Sequence, residues 1–286
     1  MPVAASAVGG RLETHREELS VRRLLAYSAG LAATGDPTFD DDRHDGIVAL
    51  PPFCVSLEWP VVSSPLSREL TGTALEESRR GVHASQDSFF HRPMRPGDRL
   101  ETRGAIVGLE DTKAGARMTT KLETLDASTG EAVVTSYSQS IFRAVPVAGE
   151  SRMLEPIPAV PTNGDFAGGS EVRIPISRQL PHVYTECAKI WNPIHTERVV
   201  ALAAGLPDII LHGTATWALA GREIIRHYCD GDPRRMRRLH GRFRAMVIPG
   251  SEIRVLHLQK DDGVHFEVRN DSEQAAITHG FAEIAS

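Results

Sequence analysis

Residues 184–195 read Tyr184-Thr185-Glu186-Cys187-Ala188-Lys189-Ile190-Trp191-Asn192-Pro193-Ile194-His195, and Leu211-His212-Gly213-Thr214 begins sixteen residues after His195. Between them, Thr196–Ala204 has helical character and is stopped by Gly205 and Pro207. After them, Thr214–Cys229 sets Trp217, Gly221, Ile224, Ile225 and Tyr228 near one face at helical spacing. Apolar or small residues occupy most of its sides, as expected of a helix wrapped by a sheet.

Downstream, Arg242-Phe243-Arg244-Ala245-Met246-Val247-Ile248-Pro249-Gly250-Ser251 leads into a strand-like run, Glu252–Gln259. In the first half, Phe89-Phe90-His91-Arg92-Pro93-Met94-Arg95-Pro96-Gly97-Asp98 leads into Arg99–Leu109. Pro-Gly followed by Asp or Ser is a turn signal in both, because Pro presets φ and Gly accepts a positive one. A meander follows each. The first runs Ala116–Leu125, a turn at Asp126–Gly130, and Glu131–Arg143; the second runs Val264–Asn270 and Ala275–Ile284. Val264, Phe266 and Val268 alternate with His265, Glu267 and Arg269, as in a strand with one buried face. Upstream, Tyr27 precedes Gly35-Asp36-Pro37 much as Tyr184 precedes Asn192-Pro193, and His83-Ala84 corresponds loosely to His212-Gly213. The dozen or so residues from His83 to Pro96 leave no room for a counterpart of the long helix.

The division is therefore 1–144, a linker at 145–169 rich in Pro, Gly and Ser, and 170–286. A chain of 286 residues suits two domains. No apolar run approaches the length of a membrane span, and the N-terminus lacks the pattern of a signal peptide. Three scattered cysteines, Cys54, Cys187 and Cys229, suggest reduced thiols and a cytoplasmic location. A net charge of −5 gives no general attraction to nucleic acid. The basic run Arg234, Arg235, Arg237, Arg238 reads as a solvated loop or helix end, with an anion-facing patch as the alternative. Metal-ligand spacing and a Gly-rich phosphate loop after a strand are both missing, so no cofactor is expected.

The run Asn192-Pro193-Ile194-His195, a short helix, then Leu211-His212-Gly213 resembles the signature of MaoC-like (R)-specific enoyl-CoA hydratases and 3-hydroxyacyl dehydratases. The run from His91 to Asp98 looks like the degenerate half of their two-module members. The resemblance implies an α+β double hot-dog fold: two antiparallel sheets, a long central helix in the C-terminal catalytic module, and a helix-poor N-terminal module that leaves space for an acyl chain. It implies an acyl-CoA or acyl-carrier-protein thioester as substrate, converted between trans-2-enoyl and (R)-3-hydroxyacyl forms, and leaves room for a homodimer. His195 takes the position of the family's catalytic histidine, a group whose ordinary pKa suits proton transfer in both directions. Gly213, opening the long helix, is the natural oxyanion donor. Asn192 fixes the loop or holds the water. Ile190, Trp191, His212 and Thr214 complete the substrate-facing set, with His212 expected chiefly to support the loop presenting Gly213, and Trp191 and Tyr184 chiefly to pack. Cys187 reads as a core thiol.

One departure stands out. The family places an aspartate five residues before the histidine, usually after a glycine; here those positions hold Ile190 and Lys189. Ile190 cannot share a proton with water. Glu186, Glu197 and Asp208 are the nearby carboxylates available to replace it. Two further readings follow: a pocket repurposed for isomerisation or cyclisation of a polyketide-like substrate, or a non-catalytic acyl-thioester binding subunit whose acid comes from a partner.

Overall fold

The computed structural model describes residues 1–33, 38–39, 42, 46–162 and 164–285. The Gly35-Asp36-Pro37 element of the repeat lies outside them. In chain order the first elements are β1 (Val3–Ala4), β2 (His15–Glu18), α1 (Val21–Gly30), α2 (Cys54–Val62), α3 (Pro65–Thr71) and α4 (Leu75–Ser78). Then come β3 (Gly81–Phe90), β4 (Arg99–Thr112), β5 (Gly115–Asp126), β6 (Ala132–Arg143), β7 (Val147–Ala148) and β8 (Arg152–Met153). The C-terminal half contains β9 (Ser170–Ile176), α5 (Leu180–Ala188), α6 (Arg198–Ala203) and α7 (Gly213–Tyr228). It closes with β10 (Met236–Phe243), β11 (Ser251–Lys260), β12 (Gly263–Arg269) and β13 (Ala275–Ile284).

These elements form two compact units, neither of which is a continuous stretch. One comprises Met1–Glu17, Leu57–His91 and Arg99–Ala159; the other comprises Glu18–Ser56, Arg92–Asp98 and Val160–Ser286. Thus α1 and the 92–98 turn pack with the C-terminal elements, although they come from the first half of the chain. The stretch 145–169 holds two short strands: β7 pairs with β1 and β8 with β4.

The first unit is built on the antiparallel order β4-β5-β6-β3. Val61, Ile106, Leu109, Met118, Leu122 and Phe142 form its apolar core. The turn after β5 closes because Asp126 Oδ1 accepts from the amides of Ser128 and Thr129 at 2.8 and 3.2 Å. Glu58 on α2 is buried, and its carboxylate is matched by donors: Gln86 Nε2 at 2.9 Å and Ser136 Oγ at 2.5 Å.

The second unit carries the antiparallel order β10-β13-β12-β11-β9. α7 lies against β10, β11, β12 and β13 and is buried without interruption from Ala215 to Ile225. That is why its sequence is apolar or small on most sides. Two charged residues within this run, Arg222 and Glu223, neutralise each other: Arg222 Nε and Nη2 donate to Glu223 Oε1 at 2.9 and 2.7 Å. Arg222 Nη1 also donates to the Leu31 carbonyl.

The turn glycines behave alike in both halves, Gly97 at φ 89° and Gly250 at φ 91°. Strands β4, β5, β6, β11, β12 and β13 fall where the hydropathy pattern places them. The alternation in β12 breaks once. His265 is buried, with its ring edge-on to Phe281 and Nε2 bonded to Asp262 Oδ1 at 2.8 Å.

Three expectations are corrected. The basic run is not a loop or helix end throughout, because β10 begins at Met236. Arg234 and Arg235 pair with Asp232 and Asp230, and Arg238 is buried over the Phe281 ring. His83 is not the counterpart of His212: it lies within β3, bonded to Gln86 and Ser138, whereas His212 caps α7. Element order makes β3 the counterpart of β10, which also moves the helix. α2 precedes β3 as α7 precedes β10, but spans 9 residues against 16 and contains Pro60, which removes a helical hydrogen bond. The N-terminal half carries four helices of its own, α1 to α4, and its counterpart of α7 is short rather than missing.

Candidate active site

α5 ends at Ala188, and Lys189 turns the chain with φ 56° and ψ 41°. This left-handed geometry favours glycine, the residue the resemblance expects there. The turn is held from outside: Arg23 on α1 donates to the carbonyls of Cys187 and Ala188 at 2.7 and 3.3 Å. The turn thus has a backbone geometry that glycine favours, although a lysine occupies it. Ile190 is buried, its amide bonded to the Thr185 carbonyl at 3.1 Å.

A 3₁₀ turn, Pro193–His195, then delivers the histidine. Asn192 caps it, its Oδ1 accepting from the Ile194 amide at 3.4 Å, so Asn192 fixes the loop. His195 is buried, and its Nδ1 lies 2.8 Å from the Ile210 carbonyl. A carbonyl only accepts, so Nδ1 carries the proton and Nε2 is left with a bare lone pair. Burial pulls the His195 pKa down to about 4, against the opposing pull of the Ile210 bond. The ring is therefore neutral, and able to accept a proton, across the physiological range.

His212 stacks on His195 with ring centroids 3.7 Å apart and 23° between planes. Its Nε2 sits 3.1 Å from Thr185 Oγ1 and 3.3 Å from the Ile190 carbonyl. Burial first, and His195 second, hold its pKa well below the ordinary value. On its other side Tyr184 approaches to 5.0 Å, with Tyr27 6.0 Å beyond and Phe53 edge-on to Tyr27 at 5.3 Å. Burial raises the Tyr184 phenol to about 12, and that of Tyr27 well above the ordinary value. The Tyr184 hydroxyl donates to Thr214 Oγ1 at 3.3 Å.

α7 opens at Gly213 directly after His212. The amides of Ala215 and Thr216 already take the His212 carbonyl. Those of Gly213 and Thr214 lie in the first turn, where no intrahelical acceptor exists, at the positive end of a 16-residue helix. A Cβ on Gly213 would meet the Phe243 ring at 3.0 Å, so glycine is what lets that ring pack against the start of the helix. A neutral imidazole lone pair beside two free amides suits reactions in which a proton moves while negative charge grows on an oxygen.

The structure thus gathers Ile190, Asn192, His195, His212, Gly213 and Thr214. Trp191 stands apart at 57 % exposed and does not pack. The three candidate carboxylates are drawn elsewhere. Glu186 and Glu197 are exposed, and Asp208 binds Arg198 Nε at 3.2 Å and the Ile209 amide at 2.8 Å. Cys187 is half-buried, and burial raises its thiol pKa, so it is not an activated nucleophile. Two contributors escape sequence reading: the Ile210 carbonyl, a backbone group with no side-chain signature, and Thr185, whose hydroxyl matters only because His212 folds onto it.

Residues 169–280 match the family model described as MaoC-like domain, and residues 6–136 match the FAS1-like dehydratase domain region. The chain is 25% identical over 260 residues to Enoyl-CoA hydratase 2, peroxisomal, of Arabidopsis thaliana, covering 85% of this chain and 82% of that protein. It is 23% identical over 269 residues to 3-hydroxyacyl-thioester dehydratase Y of Mycobacterium tuberculosis, covering 92% and 90%. Among solved structures, a MaoC-like dehydratase from Phytophthora capsici superposes with a TM-score of 0.82 at 20% identity, covering 98% and 96%. A Mycobacterium tuberculosis protein described as having a double hot-dog fold superposes at 0.61 with 15% identity, covering 96% and 94%. The fold is a double hot-dog.

Proposed function

Because this chain is a two-module member of the MaoC-like dehydratase family, we propose that it catalyses reversible hydration of a trans-2-enoyl thioester to the (R)-3-hydroxyacyl thioester, on CoA or on a carrier protein. The observation that carries this reading is the His195 ring. Its Nδ1 is committed to the Ile210 carbonyl, and it stacks on the residue that precedes Gly213. His195 Nε2 takes a proton from water as the water oxygen bonds to the β-carbon. The π electrons move onto the thioester oxygen, where the Gly213 amide, with Thr214 beside it, meets the growing charge. The α-carbon then takes a proton from His195, restoring the neutral ring. Ile190 and His212 line the approach of the acyl thioester. A compartment with reduced thiols, cytoplasm or peroxisome, suits the three free cysteines.

The test is turnover of crotonyl-CoA and longer trans-2-enoyl-CoAs, with chiral analysis of the 3-hydroxyacyl product. His195→Ala should lower kcat/KM by about 10²–10⁴-fold, the range for loss of a general acid–base group. Full activity in that variant would remove His195 from the mechanism.

The buried Ile190 favours a second reading. With an apolar wall where water would share a carboxylate, the same base and oxyanion donors suit a proton shuttle without water, as in double-bond isomerisation or a cyclisation. Product mass separates the two: hydration adds one water, and isomerisation leaves mass unchanged.

A further inference from the structure

His212 does more than fill space, as four observations on it show. Its ring lies flat against His195 at 3.7 Å. Its Nε2 reaches the Ile190 carbonyl, which only accepts, so Nε2 carries the proton and shares it between that carbonyl and Thr185 Oγ1. Its backbone caps α7, with Gly213 the next residue. Its Nδ1 is buried, with no hydrogen-bond partner among the described residues. One residue therefore joins the loop carrying His195 and the ring of His195, through its side chain, to the start of the helix supplying the amides, through its backbone.

Resting on the hydratase reading above, we infer that His212 is a positioning residue: it sets the plane of His195 and keeps that ring dry and uncharged, at the place where Ile190 provides no carboxylate. A carboxylate at position 190 would fix the water from the loop side. Without one, the orientation of His195 depends on the Ile210 bond at its edge and on the His212 ring at its face. The titratable groups facing His212 are His195 from the 193–195 turn and Tyr184 from α5. Tyr184 stays protonated, so it brings no charge to the stack. Arg23, on α1, is turned to the carbonyls of Cys187 and Ala188. The low protonation point of His195 therefore comes from exclusion of water, and the His212 ring is part of what excludes it.

The experiment follows the His195 imidazole by nitrogen-edited NMR between pH 3.5 and 8 in the full chain, without substrate, alongside kcat and KM on enoyl-CoAs. Wild type should titrate near pH 4. His212→Ala admits water to the face of the ring, and the midpoint should rise by at least about one unit toward the ordinary value near 6.5. Its kcat should fall by about 10- to 100-fold, as for a slightly misplaced catalytic group, with KM changed less than about threefold. His212→Phe keeps a flat ring against His195 but not the tie to Ile190. Its midpoint should stay within about half a unit of wild type while kcat still falls. If His212→Ala does not fold, His212→Asn removes the same ring face while keeping a polar side chain, with the same rise expected.

A folded Ala or Asn variant with an unchanged midpoint and wild-type kcat overturns the inference. So does a midpoint in His212→Phe that rises as far as in the Ala variant. If no enoyl thioester is turned over by wild type, the hydratase reading fails, and the NMR titration still decides whether His212 governs His195.

Discussion

Position 190 is where this site departs from the aspartate that the family resemblance expects. Ile190 is buried, its carbonyl accepts from His212, and its side chain offers nothing to a water molecule. The residue before it, Lys189, nonetheless lies in the left-handed region at φ 56° that glycine favours. Ile190→Asp therefore needs no rebuilding of the loop. We expect it to raise kcat/KM for crotonyl-CoA hydration at least about tenfold, part of the roughly 10²–10⁴ that a fully positioned acid–base group supplies. Loss of the enoyl absorbance measures it, and no gain in a folded variant would mean that water does not bind beside residue 190. The candidates His195, Gly213 and Asn192 were all legible in the sequence, because each is a side chain or a helix start that the local pattern announces. The Ile210 carbonyl and the His195–His212 stack were not, because residues 15 and 17 positions away meet His195 only after the chain closes on itself.

α7 shows what an element of this kind requires. Its burial from Ala215 to Ile225 explains the small and apolar composition, yet Arg222 and Glu223 sit inside that stretch. Each is admissible only with the other, since an unpaired buried charge is far more costly than a neutral pair. Glu223→Ala leaves the Arg222 guanidinium without its carboxylate. It should destabilise the fold by about 3–5 kcal/mol in urea unfolding; a loss below about 1 kcal/mol would mean the pair is solvated in practice. The length of α7 was readable from its period and its Gly213 start. β10 was not, because Arg237, Arg238 and Arg242 disguise it as a polar run. Only the packing of Arg238 over Phe281 and the pairing with β13 make that strand sensible.

Among the described residues, burial lowers the pKa of five histidines: His83, His195 and His257 to about 4, His212 well below its ordinary value, and His279 in the same direction. In the unfolded chain they protonate near the ordinary value of about 6.5. Between these limits the unfolded state binds more protons, so stability falls as pH drops from about 6.5 toward about 4 and the loss levels off below. Thermal melts from pH 4 to 7.5 should show a steady fall in Tm on the acid side, and His257→Gln should make the slope shallower. A flat profile would mean these rings are already solvated in the folded state. Glu101, held low by hydrogen bonds from Arg103 and Arg16, adds a further loss once its carboxylate protonates.

The alternating strands, the paired Pro-Gly turns, the long helix and the histidine loop follow from local chemistry, since side-chain period and backbone preference act over a few residues. Long-range packing had to settle the rest. It carried residues 18–56 into the C-terminal unit, where Arg23 braces the Lys189 turn. It laid His212 against His195 and drew the nearby carboxylates away from that ring. Those outcomes depend on which surfaces exclude water together, and no stretch of sequence encodes its neighbour across the fold.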